Sequence, residues 1–240
     1  GYMPSLPSLK APFVFSCFNH TIFDMQVLTH ELGHAFAGYM AMRSQPISDY
    51  YSETTDIAEI HSMSMEQFAY PYAEWFFGDQ ADKFRFAHLQ EALTFVPFGV
   101  AVDEFQHICY ANPQLTPKER TYQWRLLEEK YMPWRKYDND AFMERGGYWY
   151  HKLHIYLYPF YYINYTLTTM GAMEFKKKYA EDKAAAWQDY LKLCKTGGSR
   201  SYLETLRYAN LANPFEAGSV ARACGYAEDI LLRQLAEQEK

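Results

Sequence analysis

The stretch FDMQVLTHELGHAF, residues 23–36, places His30, Glu31 and His34 in an HExxH pattern, and Glu31 is the one charged residue between Asp24 and Arg43. On a helix, positions four apart lie one turn above each other on the same face, so His30 and His34 can aim two imidazoles at one point. Glu31 sits about 100° around the helix from His30 and is placed to reach a water rather than the metal itself. A zinc ion held by three protein ligands keeps a fourth position for water and brings the pKa of that water to about 7. A neighbouring carboxylate then takes the proton as the water attacks a carbonyl. This chemistry explains an acid in so apolar a run, because a buried carboxylate is costly without a partner. Two histidines and a glutamate can also be satisfied core residues, but an apolar helix with a carboxylate soon after it favours the metal.

The third ligand must come from elsewhere in the chain. Glu53 lies 19 residues after His34 and Glu59 lies 25 after it. Glu53 falls in the polar stretch YYSETTD, whereas Glu59 opens EIHSMSMEQ inside a helical pattern, where a neighbouring helix can present it rigidly; Glu59 is favoured. Carboxylates that orient the ligating imidazoles are expected as well, and Asp56, Glu66 and Asp103 are the candidates. His61 reads as a core residue or an outer partner of the metal site. His20, His88 and His107 show no constellation, and ordinary surface or core roles are the default for each.

The elements that must carry these residues are mostly helical. Residues 11–18, APFVFSCF, alternate apolar side chains and read as a strand that Pro12 places at a sheet edge. Helices are expected from Asp24, as the cap, to Arg43, over 55–77 and over 79–110 with a bend near Pro97 and Gly99. Thr116 caps a further helix, with Pro117 in its first turn, that runs to Tyr131. YDNDAFMERGG, residues 137–147, is loop-like. A tyrosine-rich helix covers 159–179, and three more cover 182–195, 199–208 and 216–238. There is no repeat and no linker, so residues 1–240 are expected to form a single domain.

Composition narrows the function further. A chain of 240 residues that is 49% hydrophobic can bury a sizeable core, and a net charge of −6 argues against a nucleic-acid partner. Twenty-two tyrosines suggest a cleft lined by rings that carry hydroxyls. The four cysteines, Cys17, Cys109, Cys194 and Cys224, show no CxxC pair, so a reducing cytoplasm is the simplest compartment. Residues 155–173 carry no charge, but their tyrosines, threonines, Asn164 and Pro159 make a poor lipid-facing helix, and no membrane span is expected.

LTHELGHAF, the glutamate of EIHSMSMEQF 25 residues later, and HIYLYPFYYINYTL together resemble the oligoendopeptidase F and thimet oligopeptidase family of zinc metallopeptidases. Within it the chain is most similar to the bacterial Pz-peptidase-type oligopeptidases, in which the ERGG and PFYY stretches also occur. The resemblance implies a mostly helical zincin-type catalytic domain belonging to a deep-channel fold, one zinc per chain, and hydrolysis of short oligopeptides. It assigns His30, His34 and Glu59 to the metal and Glu31 to general base catalysis. It also implies that His154 and a tyrosine of the following helix donate hydrogen bonds to the oxyanion. Such donors contribute about 3–4 kcal/mol each in measured cases. Tyr161 and Tyr165 rank first for that role, ahead of Tyr162 and Tyr158. Tyr158, Tyr162 and Tyr165 would share one helical face, and Tyr161 would join Tyr165 at i+4.

Members of this family are more than twice as long, so the chain reads as their C-terminal catalytic portion without the half that forms the other wall of the channel. A missing half, or self-association, is then expected to cover any apolar surface left open. The edge strand near the N-terminus can hold an extended peptide by main-chain hydrogen bonds. The rival to a zinc endopeptidase is a zinc-bearing helical module that binds peptide or a partner half without turnover. An exopeptidase on a related scaffold is a third reading.

Overall fold

The computed structural model describes residues 1–238. Ten α-helices and a two-stranded antiparallel ribbon are present among them. The chain divides into two compact units, one of residues Gly1–Glu91 with Leu167–Lys240 and one of Ala92–Thr166, and it passes between them inside α4 (Ala81–Ala111) and α7 (Ile163–Glu181).

The first unit opens with the ribbon. The strand expected over 11–18 is reduced to β2 (Ala11–Pro12), paired with β1 (Ser5–Leu6) across a tight turn in which Lys10 takes a left-handed φ of 48°. One further bridge joins Tyr2 and Phe15, whose backbones exchange hydrogen bonds of 2.9 and 3.0 Å. Proline interrupts the ladder on both sides, since neither Pro4 nor Pro12 has an N–H to give. The ribbon packs on α1 (Ile22–Ser44), where the Arg43 guanidinium donates to the Lys10 carbonyl.

Helix α1 starts at Ile22, two residues before the expected cap. Asp24 caps it from the third helical position, its carboxylate accepting the backbone N–H groups of Asn19 (3.0 Å), His20 (2.6 Å) and Thr21 (3.2 Å). The bond from Thr21 closes a capping box, and those from Asn19 and His20 tie the preceding loop to the start of the helix. The helix expected over 55–77 stops earlier: α2 covers Thr55–Phe68, a 3-10 turn spans Tyr70–Tyr72, and the short α3 covers Glu74–Phe77 before Gly78, whose φ is +53°. Pro71 has no N–H to continue the α-helical ladder. α8 (Lys183–Thr196), α9 (Tyr202–Tyr208) and α10 (Ser219–Gln238) complete this unit. Its apolar core gathers Ile57 and Ile60 of α2, Phe175 of α7, Tyr190 and Leu193 of α8, and Leu206 of α9.

The second unit is built around α4 and α5 (Pro117–Tyr131). Thr116 caps α5 as expected, and the Glu119 carboxylate returns a bond from the Thr116 N–H at 2.8 Å. Phe98, Phe105, Trp124, Trp149 and Tyr162 form its core. The tyrosine-rich helix begins later than expected, because Pro159 is followed by Phe160 in a left-handed conformation (φ 59°), whose N–H donates to Gln106 Oε1 at 2.8 Å. Short α6 (Leu153–Leu157) precedes that turn and α7 follows it, so Tyr158, Tyr161 and Tyr162 lie in the turn and share no helical face with Tyr165. No helix among the described residues is long and apolar enough to cross a membrane.

Candidate functional site

Two turns of α1 present His30 and His34, with ring centroids 4.9 Å apart at 85°. Glu59 reaches them from α2, its Oε2 lying 3.1 Å from His30 Nε2 and 3.6 Å from His34 Nε2. One donor atom of each of the three residues falls within 4.8 Å of the others, and among the described residues this is the one such group of histidine, cysteine or acidic side chains. The close crossing of α1 and α2 depends on Gly33, the glycine of HELGH. A Cβ there would lie 2.6 Å from Ser62 Cα and 2.8 Å from the His61 carbonyl oxygen, so any side chain would push α2, and with it Glu59, away.

The donor set fits a divalent metal of zinc's size. Ligands about 2.0–2.1 Å from a tetrahedral ion are about 3.3–3.4 Å from one another, and the two measured nitrogen-to-oxygen separations bracket that value. His30 Nδ1 is engaged with Glu66 Oε1 at 2.7 Å, which leaves Nε2 as the ring nitrogen beside Glu59. Without a cation, electrostatics divides the two imidazoles. Burial opposes charge on His30, but the Glu59 and Glu66 carboxylates outweigh it and raise its pKa to about 10. Burial dominates at His34 and lowers its pKa to about 4 despite Glu59. Burial likewise works against an ionised Glu59, yet the two imidazoles and the Ser62 hydroxyl, 3.0 Å from Oε2, hold the carboxyl below its usual range.

Glu31 is 8% exposed on the same helix. The backbone of residue 1 passes close to it: a Cβ on Gly1 would come within 3.0 Å of Glu31 Oε1 and 2.7 Å of Val27 Cγ1. The start of the ribbon therefore lies directly against this carboxylate.

Of the three acids considered as partners for the imidazoles, Glu66 takes the role, with one oxygen on His30. Asp56 instead accepts from the Thr54 hydroxyl, and Asp103 pairs with exposed His107 at 3.3 Å. Glu53, weighed as a ligand, lies with its Oε1 2.9 Å from His61 Nδ1. His20 is exposed. His88, left without a constellation in the sequence, is buried and lies with Nε2 2.6 Å from Glu66 Oε2. One signal in the sequence could have singled out Glu66, which follows Glu59 by seven residues, two turns along the same helical face; nothing in the sequence pairs His88 with it.

The second unit holds the other group of residues singled out in the sequence. His154, at the start of α6, lies 6.3 Å from Tyr161 in a stacked arrangement and 6.0 Å from Tyr165 edge-on, with Tyr161 and Tyr165 5.6 Å apart. Tyr162 is buried in the core beside them and Tyr158 is 57% exposed. Burial, together with the charge of Lys152, lowers the pKa of His154 and favours its neutral form.

Two imidazoles and a carboxylate thus meet on crossed helices, with a second glutamate between the imidazoles in sequence, a donor set of the kind that can hold a divalent metal ion. The comparisons with known proteins make the assignment specific: residues 3–224 match the family described as peptidase family M3, and the chain belongs to that family. It is similar to an oligoendopeptidase F homologue of Borreliella burgdorferi, 27% identical over 198 residues, which make up 78% of this chain and 32% of that protein. Among solved structures, it matches one of PZ peptidase A with an inhibitor at 48% identity and a TM-score of 0.88, over 97% of this chain and 41% of that one. A crystal structure assigned to oligoendopeptidase F matches at 50% identity and a TM-score of 0.87, over 96% and 40%. The chain thus spans about a third to two fifths of the length of these relatives.

Proposed function

We propose that this chain is the C-terminal catalytic portion of a zinc-dependent endopeptidase that hydrolyses internal bonds of short oligopeptides. The observation that carries the reading is the convergence of His30, His34 and Glu59 beside Glu31. The two imidazoles would hold one zinc per chain through Nε2, with Glu59 through Oε2. Such an ion would supply Lewis-acid polarisation of the scissile carbonyl and a lowered pKa for the attacking water. Glu31 would accept a proton from the attacking water and return it to the leaving amine nitrogen. Glu66 keeps the His30 Nδ1–H engaged and the ring oriented. For His154, Tyr161 and Tyr165 we carry over the role implied by the family resemblance, donation of N–H and O–H hydrogen bonds to the developing oxyanion. The ribbon supplies main-chain groups that an extended peptide can pair with regardless of its side chains.

The test is a Glu31→Gln chain. It should hold about one zinc, as a three-ligand site requires, while cleavage of an internally quenched peptide disappears; a variant that still cleaves refutes the assignment of the base.

One observation favours a second reading, an incomplete module that turns over only with a companion. An apolar groove of about 720 Å³ in the first unit is lined by Met25, Leu32, Met65, Phe68, Trp75 and Trp187, and Trp75 is 80% exposed. Supplying the rest of the longer protein, or a second copy, should then restore activity to a zinc-loaded chain that is inactive alone. Four unpaired thiols are compatible with the cytoplasm as its compartment.

A further inference from the structure

We infer that His88 and Tyr70 are positioning residues for the metal-binding imidazole of His30, acting through Glu66 in a buried hydrogen-bonded chain. The inference rests on the metal site proposed above. Three contacts carry it, each at hydrogen-bond length: His30 Nδ1 to Glu66 Oε1 at 2.7 Å, Glu66 Oε2 to His88 Nε2 at 2.6 Å, and His88 Nδ1 to the Tyr70 hydroxyl at 2.7 Å. Glu66 and His88 are each 7% exposed and Tyr70 is 9% exposed, so water cannot readily substitute for a missing member.

The protons in this chain can run in one direction that satisfies every atom. A metal at His30 Nε2 needs a lone pair there, so the ring hydrogen must sit on Nδ1 and donate to Glu66 Oε1. An ionised carboxylate is acceptor-only, so Glu66 Oε2 must receive a hydrogen from His88 Nε2. Neutral His88 then has a lone pair on Nδ1, which accepts the Tyr70 O–H. Burial raises the pKa of Tyr70 and keeps its phenol protonated. The tyrosine thus selects the tautomer of His88, His88 keeps Glu66 an acceptor, and Glu66 keeps the metal-facing nitrogen of His30 free.

The far end of the chain is held as firmly as the near end. Arg85 donates from Nε and Nη2 to the Tyr70 carbonyl at 3.1 and 2.8 Å, and its guanidinium is pinned by Glu74 and Asp82. The Lys176 ammonium lies 3.6 Å from the Tyr70 ring centre. Phe84 stacks on His88 at 5.5 Å with the rings 7° from parallel.

The experiment strips the chain of metal and titrates zinc against a chromogenic chelator for the wild type, His88→Leu, His88→Gln and Tyr70→Phe. Thermal melts of the metal-free chains and absorption spectra of the cobalt-substituted ones accompany it. His88→Leu should weaken zinc binding about 10-fold, the low end for outer partners of a ligand. Tyr70→Phe, which keeps the ring, should weaken it about fivefold through one lost hydrogen bond. His88→Gln should stay within about twofold, since its amide N–H and carbonyl can replace the two ring nitrogens. The visible cobalt bands should shift in His88→Leu and not in His88→Gln. Wild-type affinity and spectra in both His88→Leu and Tyr70→Phe overturn the inference. If His88→Leu melts too low to load, Tyr70→Phe and His88→Gln decide the question by themselves. A wild-type chain that takes up no zinc removes the metal-site reading itself, a result distinct from uniform binding across the set.

Discussion

His30 and His154 show how differently the two units use one side chain. In the first unit His30 stands between two carboxylates, and they raise its pKa to about 10 against the effect of burial. In the second, His154 lies among tyrosine rings, and burial with the Lys152 charge lowers its pKa. The surroundings follow the same division. The first unit buries Glu31, Glu66, His61 and His88, whereas the second has an aromatic core of Phe98, Phe105, Trp124 and Trp149. Two flanking carboxylates favour positive charge at His30, whether carried by a ring proton or by a metal ion in its place. An imidazole flanked by rings and an ammonium group stays neutral and can only share a hydrogen bond. The neighbours thus differ in the direction of the proposed roles, metal holding in the first unit and hydrogen-bond donation in the second.

The sharpest way to break that division is to disable one unit and read the function of the other. Glu59→Gln should reduce zinc affinity by more than the roughly 10–100-fold that outer partners contribute, and turnover should fall with it. His154→Ala should leave zinc binding unchanged while kcat falls about 10²–10³-fold. Equilibrium dialysis and steady-state kinetics on both variants check this, and loss of zinc from His154→Ala would contradict the separation of roles.

A smaller effect concerns the aromatic core. Trp124 is fully buried, with Phe105 5.4 Å and Phe98 6.1 Å away edge-on, and its indole N–H finds no hydrogen-bond partner among the described residues. Trp124→Ala should destabilise the chain by about 3–5 kcal/mol. Trp124→Phe should cost less, because no bond of the indole is lost and part of the volume is kept. Urea unfolding curves would show both, with the zinc affinity of the folded fraction unchanged.

The smallest expected effect lies in the first unit, at a cation placed over Tyr70. Burial lowers the Lys176 pKa from 10.5 to about 7. Between those values the unfolded chain binds a proton that the folded chain does not, so stability should rise with pH above about 7, by about 1 kcal/mol per unit at first. Lys176→Met should flatten that slope and be the more stable chain at neutral pH. Denaturation of the metal-free proteins at pH 7 and 8.5 measures it, and equal slopes would show that Lys176 keeps its charge on folding.

Much of the site was legible because it is local. Four residues make slightly more than one helical turn, so His30 and His34 share a face wherever the helix lies, and the run from Asp24 to Arg43 is helical on its own pattern. Thr116 and Glu119 likewise mark the start of α5 by bonds made within four residues. Legibility failed where the backbone left its regular period. Periodicity placed Tyr158 and Tyr162 on a helix with Tyr165, but Pro159 and the left-handed Phe160 end that helix, with the Phe160 N–H held by Gln106 from 54 residues away. The strand over 11–18 was overextended for a similar reason, since proline removes the ladder donors that alternation alone presupposes.

What the sequence determined by itself is the HExxH face and the shortlist of carboxylates that could complete it. Tertiary structure decided that Glu59 meets the two imidazoles, that Glu53 lies against His61, and that Glu66 bridges His30 to a histidine on another helix. The physical reason is the approach of α1 and α2 at Gly33: a helix fixes which side chains share its own face, but only the packing of one helix on another fixes which distant side chain that face meets.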